Sequence, residues 1–285
     1  MKSTSTQIRF TGEGHQIDAN TLVNTLIHYS ALVDEINKNL SEGDREIRIR
    51  INAIEKGSFV VDIELIENIV QNLFCKSSME YMAYLAAVIG VSFEIYKQFK
   101  GAPAPKDADI EFNKGRFHIK KQTIINIYNQ PTVRMPISKL IETAEQDKSV
   151  KGVVFEDKTG DVIKIDRDEF SDLIYTDFDK ENEIPKEDHV IVDNAVLNIV
   201  KLSFEKGSRW EFIYDGFKIS MAVKDSNLMN LIDKGMRFAK GDALRVKLDI
   251  LRVYDYEYNV YVNKNYKILE FKEHILAPNQ GIIPM

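Results

Sequence analysis

The sequence predicts an α+β protein in two parts. The first is an N-terminal strand–helix–hairpin α/β region with a buried apolar helix, and the second is a C-terminal five-stranded OB-like β-barrel. Three observations predict this fold class: an amphipathic helical pattern between alternating segments near the start, an uncharged helical segment at Tyr81–Phe93, and five strand-like segments with one helix in residues 186–275. A chain of 285 residues is long enough for two domains.

Residues 1–100 are the first predicted domain. After a short strand at Ile8–Phe10, Asp18 is a suitable N-cap because its carboxylate can accept from the first free N–H groups of a helix. The helix is predicted from an apolar stripe at helical spacing, made of Leu22, Leu26, Tyr29, Val33, Ile36 and Leu40. A hairpin follows, with alternating residues on both sides of Gly57-Ser58.

The tetrapeptide Glu-Lys-Gly-Ser occurs twice, at 55–58 and 205–208, each time between two alternating segments. Glycine supplies the positive φ that a tight turn needs, and the residues that follow the two copies differ. We therefore interpret both copies as hairpin turns and not as a catalytic or ligand-binding motif.

Residues 111–176 are predicted to form a small α+β section. The linker before it, Lys100–Asp109, is rich in proline, glycine and alanine, so no helix is expected to cross it. Two hairpins are expected in the section, together with two short helices separated by "NQPTVRMP". The acidic segment Tyr175–Asp188 is the predicted boundary to the last domain.

Residues 186–275 predict three strands, a helix and two further strands. This element order is that of an OB-type barrel, although other five-stranded barrels share it. In this segment Trp210 and Phe212 alternate on one face of a strand and are predicted to be core residues.

The charge of the chain limits the classes of ligand. With 44% hydrophobic and 29% charged residues the composition is that of a globular protein, and the formal net charge is −6. Such a chain has no general attraction to nucleic acid or anionic lipid. Residues 186–275 carry 15 basic and 14 acidic side chains, so any nucleic-acid site has to be a local patch there.

Cys75 is the only cysteine, which excludes an internal disulfide and a cysteine-based zinc site. The first ten residues are polar and lack the apolar core of a signal peptide. We expect a cytoplasmic protein without a bound metal or cofactor.

No catalytic residues are predicted, and the alternative of a catalytic site rests on the loop that precedes the first helix. Glu13, His15 and Asp18 are close enough in sequence to form an acid–base cluster, although a hydrogen-bonded loop histidine explains the same letters. The segment Asp157–Asp161 is interpreted as a hairpin turn. Whether the protein is an enzyme stays open, and the expectation leans against it.

The segment Tyr81–Phe93 contains 13 residues without a charge. It is shorter than the roughly 20 apolar residues that a membrane span needs. A helix that is apolar nearly all round must be covered, either in its own core or by a second protomer. Spacings of four between small residues would let a second helix approach closely, and the predicted contact residues are Ala83, Ala87, Val88 and Gly90. A membrane-perturbing state is a third alternative.

A second predicted contact surface is the alternating row of Tyr254, Tyr256 and Tyr258. Tyrosine is enriched at protein interfaces, which favours a partner or a second subunit. Aromatic rows on an OB-like sheet also stack the bases of single strands, but Asp255 and Glu257 would repel phosphate here.

The run "IRFTGEGHQID", the long helix after it and the run "IRINAIEKGSFVVDI" are similar to the opening of some uncharacterised bacterial proteins of mobile elements and prophages. Those proteins pair an α/β front half with a C-terminal barrel. The resemblance covers residues 8–65 and the order of the C-terminal strands. It implies a role in phage–host conflict and implies no site residues.

The leading functional hypothesis is a non-enzymatic, homo-oligomerising binding or scaffold protein of a bacterial antiviral defence or phage counter-defence system. Its expected partners are further copies of itself and another protein. The second hypothesis is the binding of single-stranded nucleic acid or a nucleotide through the C-terminal barrel, and the third is a hydrolase with the Glu13, His15 and Asp18 cluster.

Overall fold

The computed structural model describes residues 2–12, 17–41, 45, 47–52, 59–67, 78–109, 121–157, 160–180, 185–204, 209–223, 225–255, 258 and 260–277. The chain forms two compact units. The N-terminal unit comprises residues 1–186 together with 254–261, and the C-terminal unit comprises residues 187–253 and 262–285. Each contains helices and an antiparallel five-stranded sheet, so the α+β class is confirmed.

The sheet of the N-terminal unit has the order β2-β3-β1-β4-β5. Its strands are β1 (Lys2–Gly12), β2 (Ile47–Ile51), β3 (Phe59–Glu67), β4 (Val150–Asp157) and β5 (Gly160–Asp166). The central strand, β1, pairs antiparallel with both β3 and β4. The predicted hairpin of β2 and β3 is confirmed, and so is that of β4 and β5. Because β4 pairs with β1, the segment expected as a middle section contributes its strands to the N-terminal sheet.

Strand β1 is much longer than the predicted Ile8–Phe10. Its first half reads Lys-Ser-Thr-Ser-Thr, which has no apolar alternation. Thr4 and Thr6 nevertheless take the inward positions and are buried. The Thr6 hydroxyl pairs with the Tyr29 hydroxyl at 2.6 Å, which explains how a polar strand is accommodated over the core.

The helices of this unit are α1 (Ala19–Ser41), α2 (Ser78–Phe99), α3 (Lys121–Tyr128), α4 (Pro131–Gln146) and α5 (Arg167–Leu173). Asp18 caps α1 as predicted, since its Oδ1 accepts from the Asn20 N–H at 2.8 Å. Helix α2 packs on the apolar face of the sheet, where the Phe93 and Phe155 rings stack with centroids 3.7 Å apart. Helix α1 packs against α2 and α4.

The expected break between two short helices is present but shorter than "NQPTVRMP": Asn129 and Gln130 separate α3 from α4, and the rest of the segment belongs to α4. Pro131 occupies the first helical position, where its missing N–H is not needed. Pro136 lies inside the helix and removes one backbone hydrogen bond. Burial of neighbouring apolar residues, including Val133 and Ile137, compensates for that loss.

The C-terminal unit contains β6 (Glu187–Lys201), β7 (Trp210–Tyr214), β8 (Phe217–Met221), α6 (Ser226–Asp233), β9 (Ala243–Asp255) and β10 (Val260–Ile275). The predicted order of five strands with a helix between the third and fourth is confirmed. Trp210 and Phe212 are core residues as expected, at 2% and 0% exposure. Strand β6 begins at Glu187, within the acidic segment Tyr175–Asp188 that was predicted to be the boundary to the last domain.

These five strands form an open sheet in the order β10-β9-β6-β7-β8. A barrel would require β8 and β10 to pair, and in the part of the chain that the structure describes they do not. Asp225 lies between them: its carboxylate caps α6 by accepting from the Leu228 N–H at 2.7 Å and also accepts from the Phe271 N–H of β10 at 3.3 Å. The predicted OB-like barrel is therefore not confirmed.

Candidate functional site

The four predicted contact residues of α2 differ in burial. Val88 is fully buried, and Gly90 is buried as well. Ala83 and Ala87 are partly exposed. They lie four residues apart, with Tyr84 and Val91 on the same partly exposed stripe. Most of α2 is therefore core of its own unit, as one alternative predicted, and of the four predicted contact residues Ala83 and Ala87 reach the surface.

The three tyrosines of the second predicted surface also separate. Tyr254 is 6% exposed, and its hydroxyl donates to the Met135 Sδ at 2.6 Å. Its ring lies 5.1 Å from that of Tyr261, in a small cluster that also contains Phe178. Tyr258 is exposed, whereas Tyr256 lies outside the described residues. The role of these residues in binding stays a prediction.

Of the proposed acid–base cluster, Glu13 and His15 lie outside the described residues, as do both Glu-Lys-Gly-Ser turns. Asp18 is described, and both its carboxylate and its backbone N–H form hydrogen bonds that stabilise the fold. Its carboxylate caps α1, and its backbone N–H donates to the Asp147 carboxylate at 3.0 Å. Within the described ranges no three acidic, histidine or cysteine side chains converge as a metal site would require, and no helix is long and apolar enough to cross a membrane.

The feature that the structure adds is one end of the C-terminal sheet. Here β6, β8 and β10 end and β7 and β9 begin. Three chain segments bring exposed basic side chains to this end: the end of β6, the residue before β7, and the connection from α6 to β9. We call the resulting set the basic end; it consists of Lys201, Arg209, Lys234, Arg237 and Lys240.

Aromatic contacts join these segments. The indole of Trp210 at the start of β7 donates its N–H to the Ser203 carbonyl at 2.6 Å. On one side its ring contacts Phe204 at a centroid distance of 5.8 Å, and on another side it contacts Phe238 at 6.1 Å. The segment that carries Lys234, Arg237 and Lys240 is therefore packed on the end of the strands by Phe238, which lies between Arg237 and Lys240 in the chain.

A buried carboxylate fixes the same connection. Asp242 is 1% exposed and accepts from the Ala239 N–H at 2.7 Å, the Ala277 N–H at 2.9 Å and the His274 Nε2–H at 2.9 Å. These donors hold the pKa of Asp242 below its usual range, with the Ala239 N–H contributing most. Its own carbonyl accepts from the Ile199 N–H at 3.0 Å. The loop before β9 is thus tied to β6 and to the end of β10.

Acidic side chains are less available at this end than basic ones. Asp242 is buried, and Glu273 forms an ion pair with Arg245 at 2.5 Å. Glu211 pairs with Lys218 at 2.7 Å, a contact that lowers the pKa of Glu211. Asp233, the last residue of α6, is an exposed carboxylate beside the three exposed basic residues of the connection that follows it in the chain. Among the described residues the local balance at this end is therefore positive, in a chain whose net charge is −6.

Sequence analysis missed the basic end because its members are up to 39 positions apart and the domain total is nearly neutral. The run "KGMRFAK" at 234–240 was the available signal, since three basic residues alternate there with a methionine and a phenylalanine. Placing Lys201 and Arg209 beside it requires the strand order.

No protein-family model, no curated protein and no solved structure matches the chain.

Proposed function

We propose that this protein binds nucleic acid through the basic end of its C-terminal unit. The observation that carries the proposal is the convergence of five exposed Lys and Arg side chains from three segments, fixed by the Trp210–Phe238 contact and by Asp242. Phosphate neutralisation by such side chains supplies most of the affinity of non-specific nucleic-acid binding. Arg237 can also form bidentate hydrogen bonds to a phosphate. Arg209 donates to Ser220 through Nε and Nη2, so it offers its charge and Nη1 to the same ligand.

The strand order supports the same proposal. The order β10-β9-β6-β7-β8, with α6 between the third and fourth strands, is that of an OB fold opened between its third and fifth strands. OB folds bind oligonucleotides and oligosaccharides on their second and third strands and on the loops beside them. In this chain the connection before the second strand carries Lys201 and Arg209, so the basic end coincides with one of those loops.

The proposal predicts that binding depends on where positive charge is removed. The double variant Arg237→Gln/Lys240→Gln should bind a labelled oligonucleotide of about 16 nucleotides about tenfold more weakly at low salt, because it loses two phosphate contacts. The slope of log affinity against log salt should fall by about 1.4, since each neutralised single-strand phosphate contributes about 0.7. Fluorescence anisotropy over a salt series measures both quantities.

The matched control is Lys264→Gln/Lys267→Gln, which removes two exposed charges from the half of β10 that is remote from the basic end. It changes the net charge by the same amount and should leave the affinity within about twofold. Equal losses in the two double variants would assign binding to bulk charge. Undetectable binding by the unmodified protein at low salt would end the proposal.

The second candidate is the homo-oligomeric scaffold of an antiviral or counter-defence system that the sequence predicts. The observation that favours it is the partly exposed stripe of α2, where Ala83 and Ala87 present small side chains four residues apart. Such a spacing permits the close approach of a helix from a second copy. The Tyr258 side chain, 41% exposed, offers a further contact.

For this candidate we expect Ala87→Glu to convert an assembly, whose mass is a multiple of 32.8 kDa, into a folded monomer. A carboxylate on the stripe would be desolvated in the interface but solvated in the monomer. Val88→Glu is the contrasting variant: because Val88 is fully buried, it should prevent folding instead. Light scattering after gel filtration and circular dichroism distinguish the two results, and a monomeric unmodified protein removes the candidate.

A further inference from the structure

Phe204 is an exposed aromatic ring at the basic end. Its exposed fraction is 59%, whereas the other aromatic residues that contact Trp210 are buried or partly buried. It follows directly after β6 and the short turn that contains Ser203. Single exposed apolar residues are common on protein surfaces. This ring differs from them because it packs on the buried Trp210 ring.

Two contacts fix the position of Phe204. Its ring packs on the Trp210 ring in a T-shaped arrangement, with an interplanar angle of 79° and a centroid distance of 5.8 Å. Aromatic pairs prefer this arrangement. The residue before it, Ser203, accepts the indole N–H at 2.6 Å, so the backbone beside Phe204 is tied to the same indole. Trp210 itself is immobilised between Phe212 and Phe238. The exposed ring is therefore supported by a buried aromatic cluster.

The charges around this ring have the sign that nucleic acid requires. Lys201 lies three residues before Phe204, and Arg209 immediately precedes the supporting tryptophan; both are exposed. Phe238, which contacts the other side of Trp210, is flanked by Arg237 and, two residues later, Lys240. An aromatic face beside cationic side chains is the combination that proteins use to stack a base while they hold the backbone.

We propose that Phe204 stacks on an unpaired base, so that the ligand of the basic end is single-stranded nucleic acid. This inference rests on the nucleic-acid binding proposed above and adds the strand state and the residue that recognises it. A base inside a duplex has both faces covered by its neighbours and cannot offer one to Phe204. Duplex nucleic acid and heparin can satisfy only the basic side chains.

The experiment compares Phe204→Leu and Phe204→Tyr in anisotropy titrations with a single strand of about 16 nucleotides, its duplex, and heparin as competitor. Leucine keeps an apolar side chain without a π face, and tyrosine keeps the ring. We expect Phe204→Leu to weaken single-strand binding about tenfold and to leave duplex and heparin binding unchanged, while Phe204→Tyr binds the single strand normally. A 2-aminopurine base in the strand should lose fluorescence on binding to the unmodified protein and not to Phe204→Leu.

Leu276→Ala provides the control for a loss of exposed apolar surface at this end, since Leu276 is 71% exposed. If Phe204→Leu binds the single strand as tightly as the unmodified protein does, while Arg237→Gln/Lys240→Gln binds it weakly, the stacking role is overturned and nucleic-acid binding stands. If the unmodified protein prefers the duplex, the single-strand assignment is overturned. If it binds none of the three polyanions, both proposals fall together.

Discussion

Replacing Arg134 with alanine is expected to destabilise the N-terminal unit by about 4 kcal/mol, the largest effect of any single truncation that we predict. Arg134 on α4 is fully buried, which is rare for an arginine. Its Nη1 donates to the Gly101 carbonyl at 2.8 Å, and its guanidinium lies 5.5 Å from the centre of the Phe178 ring and 5.7 Å from that of Tyr175. Truncation would remove these contacts and leave a cavity.

The position of Gly101 explains why a cation is buried there. Gly101 lies two residues after the last residue of α2 and has a φ of +79°, the left-handed conformation in which helices commonly end. The carbonyl groups at a helix C-terminus carry partial negative charge and lack intrahelical donors. Arg134 supplies a charged donor to this end. A Cβ on Gly101 would lie 2.5 Å from the Tyr175 Cβ, so a larger residue cannot take the same conformation.

Two further variants separate the contributions. Arg134→Met keeps most of the volume but leaves the Gly101 carbonyl without this donor, and should lose about half as much stability as Arg134→Ala. Arg50→Ala removes an exposed arginine of the same unit and should change stability by less than about 0.5 kcal/mol. Urea unfolding followed by circular dichroism measures all three, and an Arg134→Ala curve that coincides with the Arg50→Ala curve would contradict the argument.

The sequence predicted those elements whose pattern is local. The apolar stripe of α1 and its Asp18 cap, the two N-terminal hairpins and the strand–helix order of the C-terminal unit all follow from periodicity and turn residues within a few positions. Strand β1 was predicted too short because Thr4 and Thr6 are buried although they are polar, and the Thr6 hydroxyl pairs with that of Tyr29, a contact across 23 positions that no local pattern reports.

The errors at α4 and at the candidate site have the same physical origin. Pro136 is a local helix-breaking signal inside α4, and tertiary burial of the helix overrides it. At the basic end, Lys201 and Arg209 become neighbours of Arg237 only because β6, β7 and β9 are adjacent in the sheet. A count of charges along the chain does not show such a patch, because acidic residues lie between its members in the sequence. The strand order brings the basic side chains together at one end of the sheet. The full burial of Val88, in contrast, agrees with the core alternative that the uncharged run had suggested.

Acid is expected to destabilise the N-terminal unit through His28, by about 3 kcal/mol between pH 6.5 and pH 4. His28 on α1 is 6% exposed and faces α4. The pKa of His28 is lowered to about 4, chiefly by burial and also by Lys139 of α4, whereas Glu142 of α4 acts in the opposite direction. Lys139 and Glu142 also pair with each other at 2.7 Å.

The sign of the effect follows from which state binds the proton. In the unfolded chain the histidine has a pKa near 6.5 and is protonated as the pH falls through that value. In the folded unit it stays neutral down to about pH 4. The unfolded state therefore gains a proton that the folded state does not, and stability is lost as the pH falls from 6.5 to 4. The loss should not grow further through this group below pH 4.

The geometry gives no compensation for a charged ring. Within the described structure neither the His28 Nδ1 nor the Thr25 Oγ1, one helical turn before it, has a hydrogen-bond partner. A protonated imidazole would place a buried donor and a charge beside Lys139 in the contact between α1 and α4. Burial raises the pKa of the Asp147 and Glu169 carboxyls. Hydrogen bonds from Ser149 to Asp147 and from Lys97 to Glu169 nevertheless hold each pKa below its usual range. Their contribution to the pH dependence is therefore lost mainly as the pH falls below the ordinary values of aspartate and glutamate, near 4.

The decisive comparison is the slope of unfolding free energy against pH in the unmodified protein, in His28→Gln and in His189→Gln. Glutamine does not titrate, so His28→Gln should flatten the slope by about one proton between pH 6 and pH 4.5. His189→Gln changes a histidine of the C-terminal unit, which pairs with Asp249 at 2.7 Å, and should therefore leave the slope of the N-terminal unit unchanged. Lys139→Gln should raise the pKa of His28, as read from its ring signals by NMR, because it removes the nearby positive charge. An NMR pKa near 6.5 for His28, or equal slopes in all three proteins, would show that the α1–α4 contact tolerates the charged ring.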